Sequence, residues 1–404
     1  MKQLLLFFCL LPLLLSAQQT KVVGYLPYYR FGLKDQIQYE KLTHLNLSFL
    51  NPDLQGNLSI GNQDIDPVVA KAKLANPDIL VLVALAGGAL TPEWEDAYDH
   101  FLQAQNRSGF IHLLMEYVET HQLDGMDVDL EWSHVNSLYS PFVLELKDSL
   151  DAHDKLMTAA LPGTYRYPEV SDAAMNAFAW INLMAYDLTG SWAPNNPGPH
   201  SPYSFAQQSI TYWTGQGLTK ERMTLGVPFY GYDFDQAPVS SFTYGSMVAE
   251  DTAYAQLDQV GQRYYNGMPT IRAKTLLGQS ETAGIMIWEL GQDAFGAQSE
   301  YSLLTVIDET LNGLTSNDPI LGEADWTVYP NPAQDFIQLR TDRLDQNRQM
   351  LLRDLQGRML LQTPINPTNN LPIDISQLPT GIYLVELWNN DRLLGREKLI
   401  RGNW

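Results

Sequence analysis

Between residues 21 and 290 the sequence offers eight strand candidates, each a short apolar run with a polar or turn-forming stop, with helix signals between most of them. The runs are 21–29 (KVVGYLPYY), 42–50 (LTHLNLSFL), 79–85 (ILVLVAL), 124–131 (DGMDVDLE), 156–161 (LMTAAL), 179–188 (AWINLMAYDL), 223–234 (MTLGVPFYGYDF) and 283–290 (AGIMIWEL). Run 79–85 is apolar throughout, which suits a strand covered on both faces, as in a parallel sheet. The helix signals include Thr91 before Pro92, with Glu93 and Glu95 in the first turn. Ser140-Pro141 precedes Leu144, Leu146 and Leu150, Ser204 with Gln207 reads as a capping box, and 301–311 reads as a last helix. Strands alternating with helices in this way predict an α/β chain closed as a (β/α)₈ TIM barrel. The segment 235–282 is polar and turn-rich, too short for a full inserted domain. The barrel is therefore expected without a large α+β insertion, and with an open groove.

The pattern changes after residue 315. Residues 316–325 read as a linker, and short strands follow at 327–329, 336–339, 349–353, 359–362, 382–387 and 396–400. Turn residues such as Gln356-Gly357 and Pro379-Thr380-Gly381 separate them. Spacing of this kind predicts a small C-terminal all-β, sandwich-like domain over 326–404. At the other end, Lys2 followed by the apolar stretch 4–15 and the small pair Ser16-Ala17 reads as a signal peptide, 1–17, cleaved near Ala17. The barrel domain then covers 18–315. The single cysteine, Cys9, falls inside the signal segment, so no disulfide is expected in the mature chain. A formal net charge of -21 argues against nucleic acid and anionic membranes as partners. The seven histidines show no metal-ligand spacing, so neither metal nor cofactor is expected, and the protein is expected to be a monomer.

The chemistry concentrates in run 124–131. Alternate residues of a strand share a face, so Asp127, Asp129 and Glu131 point one way and Met126, Val128 and Leu130 the other. Three carboxyls crowded on one side of a buried strand repel one another, which favours a retained proton. Glu131 lies where the strand runs out into a loop, the usual place for chemistry in such a barrel. A calcium loop would need glycine and carbonyl ligands at tighter, irregular spacing.

Asp124-Gly125-Met126-Asp127-Val128-Asp129-Leu130-Glu131 resembles the D-G-x-D-x-D-x-E motif of glycoside hydrolase family 18, the chitinase-like family. Met184-Ala185-Tyr186-Asp187 is similar to its M-x-Y-D strand, Leu225 to Gly231 to the strand after it, and Gly284 to Glu289 to its eighth strand. The resemblance implies a secreted retaining glycosidase cleaving chitin or chito-oligosaccharides. In that family the substrate's N-acetyl oxygen attacks the anomeric carbon and forms an oxazolinium intermediate. It implies Glu131 as the acid, Asp129 as the residue orienting the acetamido group, and Asp127 as the group sharing its proton and charge. It further implies Tyr186 as a hydroxyl donor and Asp187 as a sugar contact. Met184 is expected under the acetamido group, Trp288 as a stacking floor and Tyr25 as a wall residue. Trp192 is a further cleft candidate, whereas Trp94, Trp132, Trp180 and Trp213 read as structural or rim residues. One departure stands out: Leu85-Ala86-Gly87-Gly88 has leucine where the family often has serine, so a bond supporting the acidic strand is expected to be missing. The same machinery also serves endo-β-N-acetylglucosaminidases acting on N-glycan cores, and the fold also carries inactive chitin-binding lectins; the latter have generally lost the acid, which is present here.

The C-terminal domain has its own resemblance. Val328-Tyr329-Pro330-Asn331-Pro332, Asp354 to Arg358, and Leu378 to Tyr383 are similar to sorting domains of the type IX secretion system. That implies export across an outer membrane, with the secretion machinery as a partner.

Overall fold

A computed structural model describes residues 20–312, 326–341, 348–354, 358–365, 372–389 and 392–402. The signal segment, the linker and the Gln356-Gly357 turn lie outside the described residues. Eight parallel strands form the barrel: β1 (Lys21–Pro27), β2 (His44–Pro52), β3 (Leu80–Ala86), β4 (Gly125–Asp129), β5 (Leu156–Pro162), β6 (Ile181–Met184), β7 (Met223–Pro228) and β8 (Gly284–Trp288). β1 pairs with both β2 and β8, which closes the sheet. Among the described residues the α-helices are α1 (Asp66–Ala75), α2 (Pro92–Phe101), α3 (Ala104–Thr120), α4 (Tyr139–Asp151), α5 (Asp172–Ala177), α6 (Tyr203–Gly215), α7 (Tyr244–Glu250), α8 (Met268–Glu281) and α9 (Leu303–Leu311). None is long and apolar enough to cross a membrane.

Alternation along each strand sorts the side chains into two layers. Val81, Val83, Leu85, Met126, Val128 and Leu130 join helix residues such as Phe110, Leu114, Phe142 and Leu146 in the outer core. The barrel interior is instead unusually polar. Asn46, Ser48, Asp127, Thr158, Asn182 and Thr224 are each 1% exposed or less. Strands β2 and β4 to β7 therefore interrupt their apolar runs with single polar residues, and these line the axis below the site.

The helix signals hold in part. Thr91 caps α2, its hydroxyl accepting from the Trp94 amide at 3.3 Å. Ser204 does not cap α6: the helix starts at Tyr203, behind Pro202, so Ser204 lies inside the first turn. Residues 223–234 are not one strand. Pro228 ends β7 because it brings no amide to the ladder. The Phe229 amide then bonds to Trp288 O, and Phe229 O accepts from the Tyr244 amide. Residues Tyr230–Asp233 leave the barrel and join Ser240–Thr243, Gln259–Val260 and Arg263–Tyr264 in a small antiparallel sheet. The turn-rich segment, which also carries helix-capable pieces, thus contributes α7, α8 and strands of this small sheet.

In the C-terminal domain, strands Trp326–Tyr329, Phe336–Thr341 and Ile373–Asp374 form one sheet. Arg348–Asp354, Met359–Ile365, Gly381–Asn389 and Arg392–Arg401 form a second. Val328, Ile337, Leu339, Met350, Leu352, Val385, Leu387 and Leu399 form the core of the domain. The two-residue strand Ile373–Asp374 is too short to leave a periodic signal.

Candidate active site

The acidic strand is anchored at its start. Asp124 Oδ2 accepts from the Val81 amide and from Lys73 Nζ, both at 2.7 Å. That fixes the register of β4 on β3, so Ala84 lies beside Asp127 and Ala86 beside Asp129. Small neighbours leave room for the carboxyls. Beyond β3 the chain passes close over the last of them: a Cβ on Gly88 would sit 2.6 Å from Glu131 Oε1. Gly87, at φ +85°, would collide with the Phe49 ring at 2.5 Å if it carried one. The two glycines are therefore required by close approach.

Asp127 is fully buried and accepts three bonds: from Tyr25 Oη at 2.6 Å, Thr158 Oγ1 at 2.5 Å and Asn182 Nδ2 at 3.1 Å. The support expected to be missing at Leu85 is supplied by these groups. Leu85 itself points outward into the helix-facing core, away from the carboxyls. Tyr25, expected as a wall residue, is 1% exposed and lies under the site, because the register of β1 turns it inward onto Asp127. Asp129 is 3% exposed, and its Oδ1 has no hydrogen-bond partner among the described residues. Glu131 is the one carboxyl of the row that is only partly buried.

Burial pushes all three carboxyls upward. Asp127 rises to about 6, held from rising further by bonds from Thr158, Tyr25 and Asn182. Asp129 rises well above the usual range through burial, then the charges of Glu131 and Asp127. Glu131 rises to about 7 through burial and the charge of Asp187. The row can thus keep a proton at neutral pH and release it at the mouth.

Around the row stand the other predicted residues. Tyr186 is 8% exposed, and burial followed by the charge of Asp129 raises its hydroxyl well above the ordinary value, so it remains a donor. Met184 is partly buried against the same inner cluster, which includes Trp288. The Trp288 ring lies 5.6 Å from Tyr25, edge-on, and 5.6 Å from Phe49, stacked. Its neighbour Glu289 is fully buried, bonded by Arg30 Nε at 3.0 Å and by the Gly291 amide at 2.7 Å. Asp187 lies in the loop just past β6 with φ +62°, and its Oδ1 accepts from the hydroxyls of Tyr230 and Tyr232. Ala86 and Trp132 also take left-handed φ values, +69° and +55°. Three non-glycine residues in that region around one mouth mark a constrained site.

The structure adds residues that sequence reading missed. Thr158, Asn182, Tyr230, Tyr232, His200 and Phe49 all touch the predicted set. For Thr158 and Asn182 the available signal was a lone polar residue within an apolar run. Trp180 and Trp213 are buried, as structural residues should be, and Trp94 is half-buried. Trp132 is a rim residue, 65% exposed. Trp192 is 58% exposed and sits edge-on to Tyr232 at 5.6 Å. Among the described residues no cluster of three or more His, Asp or Glu is arranged to hold a metal ion.

Comparison with known proteins agrees with this geometry. Residues 327–401 match the secretion system C-terminal sorting domain, which implies secretion to the surface or the outside. A solved structure with the same fold is the GH18 chitinase ChiB from the chitin utilization locus of Flavobacterium johnsoniae. It is 43% identical, with a TM-score of 0.72, over 74% of this chain and 96% of that one. A chitinase structure from Bacteroides thetaiotaomicron is 25% identical, with a TM-score of 0.63, over 74% of this chain and 98% of that one. Among curated relatives, an endochitinase of Manduca sexta is 27% identical over 240 residues, 51% of this chain and 42% of its own length. Probable chitinase 10 of Drosophila melanogaster is 25% identical over 401 residues, 78% of this chain and 17% of its own length. The chain therefore spans less than half the length of these two relatives. Residues 21–293, more than half of the chain, match the model of glycosyl hydrolases family 18, and the chain belongs to that family.

Proposed function

We propose that the protein is a secreted chitinase that hydrolyses β-1,4-linked N-acetylglucosamine chains with retention of configuration, the substrate's own acetamido oxygen acting as nucleophile. The observation that carries this reading is that the row of three carboxyls offers only Glu131 to the mouth; Asp127 and Asp129 are 0% and 3% exposed. A two-carboxylate mechanism needs a second carboxylate free to attack or to activate water. Within the row, Asp127 is bound by three donors and Asp129 is buried beside it. Glu131, raised to about 7, gives its proton to the leaving glycosidic oxygen. Asp129 orients the acetamido group and stabilises the oxazolinium as charge develops, while Asp127, fixed by its donors, shares the charge of Asp129. Tyr186 donates to the acetamido oxygen, Met184 packs beneath that group, and Asp187 contacts the sugar. Trp288 is the floor for the reactive sugar, since pyranose C–H faces pack well on aromatic rings.

Exposed aromatic rings follow several barrel strands: Tyr29 at 58%, Trp132 at 65%, Tyr165 at 51% and Trp192 at 58% exposed. Single exposed rings are ordinary, but a series of them around one mouth supports a groove longer than one sugar, and attack within a chain. The same reading takes residues 1–17 as a signal peptide, the C-terminal domain as the address read by the type IX machinery, and the exported enzyme as a monomer. The test is product analysis on defined chito-oligosaccharides, with the first-formed anomer recorded. β-Anomeric products of mixed length are expected. α-Anomers would overturn retention, and monomer or dimer from the first minutes would overturn attack within the chain. Release of glycan from a high-mannose glycoprotein, with no chitin fragments, would move the assignment to N-glycan cores.

A further inference from the structure

Lys274 lies on α8 and is fully buried. Its Nζ reaches three oxygens: Ser201 O at 2.6 Å, Ser201 Oγ at 2.7 Å and Asn266 Oδ1 at 2.7 Å. Each of the three can only accept from it. Ser201 O is a carbonyl, and Ser201 Oγ commits its single proton to Ala185 O at 2.7 Å. Asn266 turns its amide nitrogen to Ser201 O and Tyr265 O, at 3.0 and 3.1 Å, which leaves Oδ1 for Lys274. Three acceptors match the three hydrogens of an ammonium. Lys274 therefore ties α8 to the segment before α6 and to the chain leaving the small sheet. The segment before α6 in turn holds the turn that leaves β6. Ser201 Oγ binds Ala185 O, His200 Nδ1 accepts from the Asp187 amide at 3.4 Å, and His200 O accepts from the Leu188 amide at 2.9 Å. Tyr186 sits inside that turn. Its hydroxyl meets Met286 Sδ at 3.8 Å, a weak acceptor, so the place of the hydroxyl is set by the backbone of the turn and by the packing of the ring.

We propose that Lys274 is a positioning residue for the reaction: through Ser201 it fixes the turn at 185–188, and so sets where the Tyr186 hydroxyl stands beside the acidic row. The proposal deepens the reading of Tyr186 as the donor to the acetamido oxygen and rests on it. The path is short, from Nζ to Ser201 Oγ, from Oγ to Ala185 O, and across one peptide bond to Tyr186. Every side chain on it is buried: Ser201 is 0%, Asn266 3% and Tyr186 8% exposed. Without the ammonium, Ser201 Oγ and Asn266 Oδ1 are buried acceptors that have lost a donor, which favours rearrangement of the segment that holds the turn. Burial lowers Lys274 to about 7, with the charge of Asp258 opposing the shift, so the ammonium that the three acceptors require is in place on the acid side of neutrality.

The test measures kcat and KM of the full chain on a chito-oligosaccharide at pH 6 for wild type, Lys274→Met, Tyr186→Phe and the double variant. Methionine keeps the length of the lysine stem and removes its donors. Lys274→Met is expected to lower kcat by roughly 10-fold, with a smaller change in KM, as for a reacting group held slightly out of place. In the Tyr186→Phe background, where no hydroxyl is left to misplace, the same substitution is expected to cost less than about 3-fold. A purely structural lysine would give equal losses in both backgrounds, and that result, or a Lys274→Met kcat equal to wild type, overturns the proposal. Ser201→Ala cuts the same path by deleting one oxygen and decides the matter if Lys274→Met does not fold. It is expected to lower kcat in the wild-type background and not in the Tyr186→Phe background, and equal losses in both again overturn the proposal. Tyr186→Phe by itself separates the two readings: full activity in that variant removes the donor role on which this proposal rests, whereas an impaired Tyr186→Phe beside an unimpaired Lys274→Met removes the proposal alone.

Discussion

Asp129 and Glu386 are buried alike, 3% and 1% exposed, yet their surroundings drive them in opposite directions. Burial raises both. In the C-terminal domain, the Arg396 and Arg353 guanidiniums outweigh burial and hold Glu386 below the ordinary glutamate range. Their Nε atoms lie 3.0 and 3.1 Å from its carboxylate, and Trp388 Nε1 adds a third donor at 3.1 Å. Around Asp129 the neighbours are acids, Glu131 and Asp127, and they add to burial. One carboxylate is a fixed charge inside an ion-pair cluster. The other belongs to a set of carboxyls that burial pushes toward their protonated forms. Burial alone therefore marks neither stability nor catalysis; the sign of the neighbouring charge separates them.

Neutral isosteres should pull the two sites apart most strongly. Glu131→Gln is expected to lower kcat by about 10²–10⁴-fold, the range for loss of a general acid, while the barrel stays folded. Glu386→Gln is expected to leave turnover intact. It removes the carboxylate that the part-buried Arg353 and Arg396 share, and so destabilises the C-terminal domain by up to about 3–5 kcal/mol. Denaturant titrations followed by tryptophan fluorescence, with rates measured on the same samples, test both. If Glu386→Gln abolished turnover, the contrast between a structural and a catalytic carboxylate would collapse.

A smaller effect separates two tryptophans, each near a buried carboxylate. The Trp288 ring packs against Tyr25 and Phe49, whereas Trp388 donates to Glu386 and is 5% exposed. Trp288→Ala should weaken chito-oligosaccharide binding by about 1–2 kcal/mol, roughly 10-fold, and raise KM accordingly. Trp388→Ala should leave affinity unchanged. Calorimetric titration in a Glu131→Gln background measures both without turnover. Equal affinities for the Trp288 variant and its parent would remove Trp288 from the groove floor.

The same contrast explains what the sequence could and could not convey. The barrel was legible because every strand had to be apolar on its helix-facing side, which leaves periodic runs between helix signals. The acidic row was legible because three carboxyls within five residues cannot be accommodated by accident on a buried strand. The partners of that row were not legible. Asp127 meets Tyr25, Thr158 and Asn182, which are 102, 31 and 55 residues away, and only closure of the barrel brings them together. Leu85 misled for the same reason: which face it occupies depends on strand register rather than on residue type. His200 and Tyr232 reach Asp187 from the loop before α6 and from the small sheet, a fold that broke the expected single strand at Pro228.

The two domains should also answer pH with opposite sign. Asp127 and Glu131 have folded-state values of about 6 and 7, above their ordinary 3.8 and 4.5. The folded barrel therefore binds protons more tightly than the unfolded chain. Their contribution to stability is fully present below about pH 4 and is lost as pH rises through 6 to 7. Glu386 is shifted down from 4.5, so the folded C-terminal domain binds its proton less tightly. Its contribution is present above pH 4.5 and is lost as pH falls through the lowered value. Scanning calorimetry from pH 3 to pH 8 should show the barrel transition weakening toward neutrality, in the range where the C-terminal transition has already reached its plateau. Glu131→Gln should flatten the barrel's slope between pH 4 and pH 7, and Glu386→Gln the C-terminal domain's slope below pH 4.5. A barrel slope unaltered by Glu131→Gln would mean that the acid is not raised by its burial in the fold, and the distinction drawn between the two carboxylates would then rest on Glu386 alone.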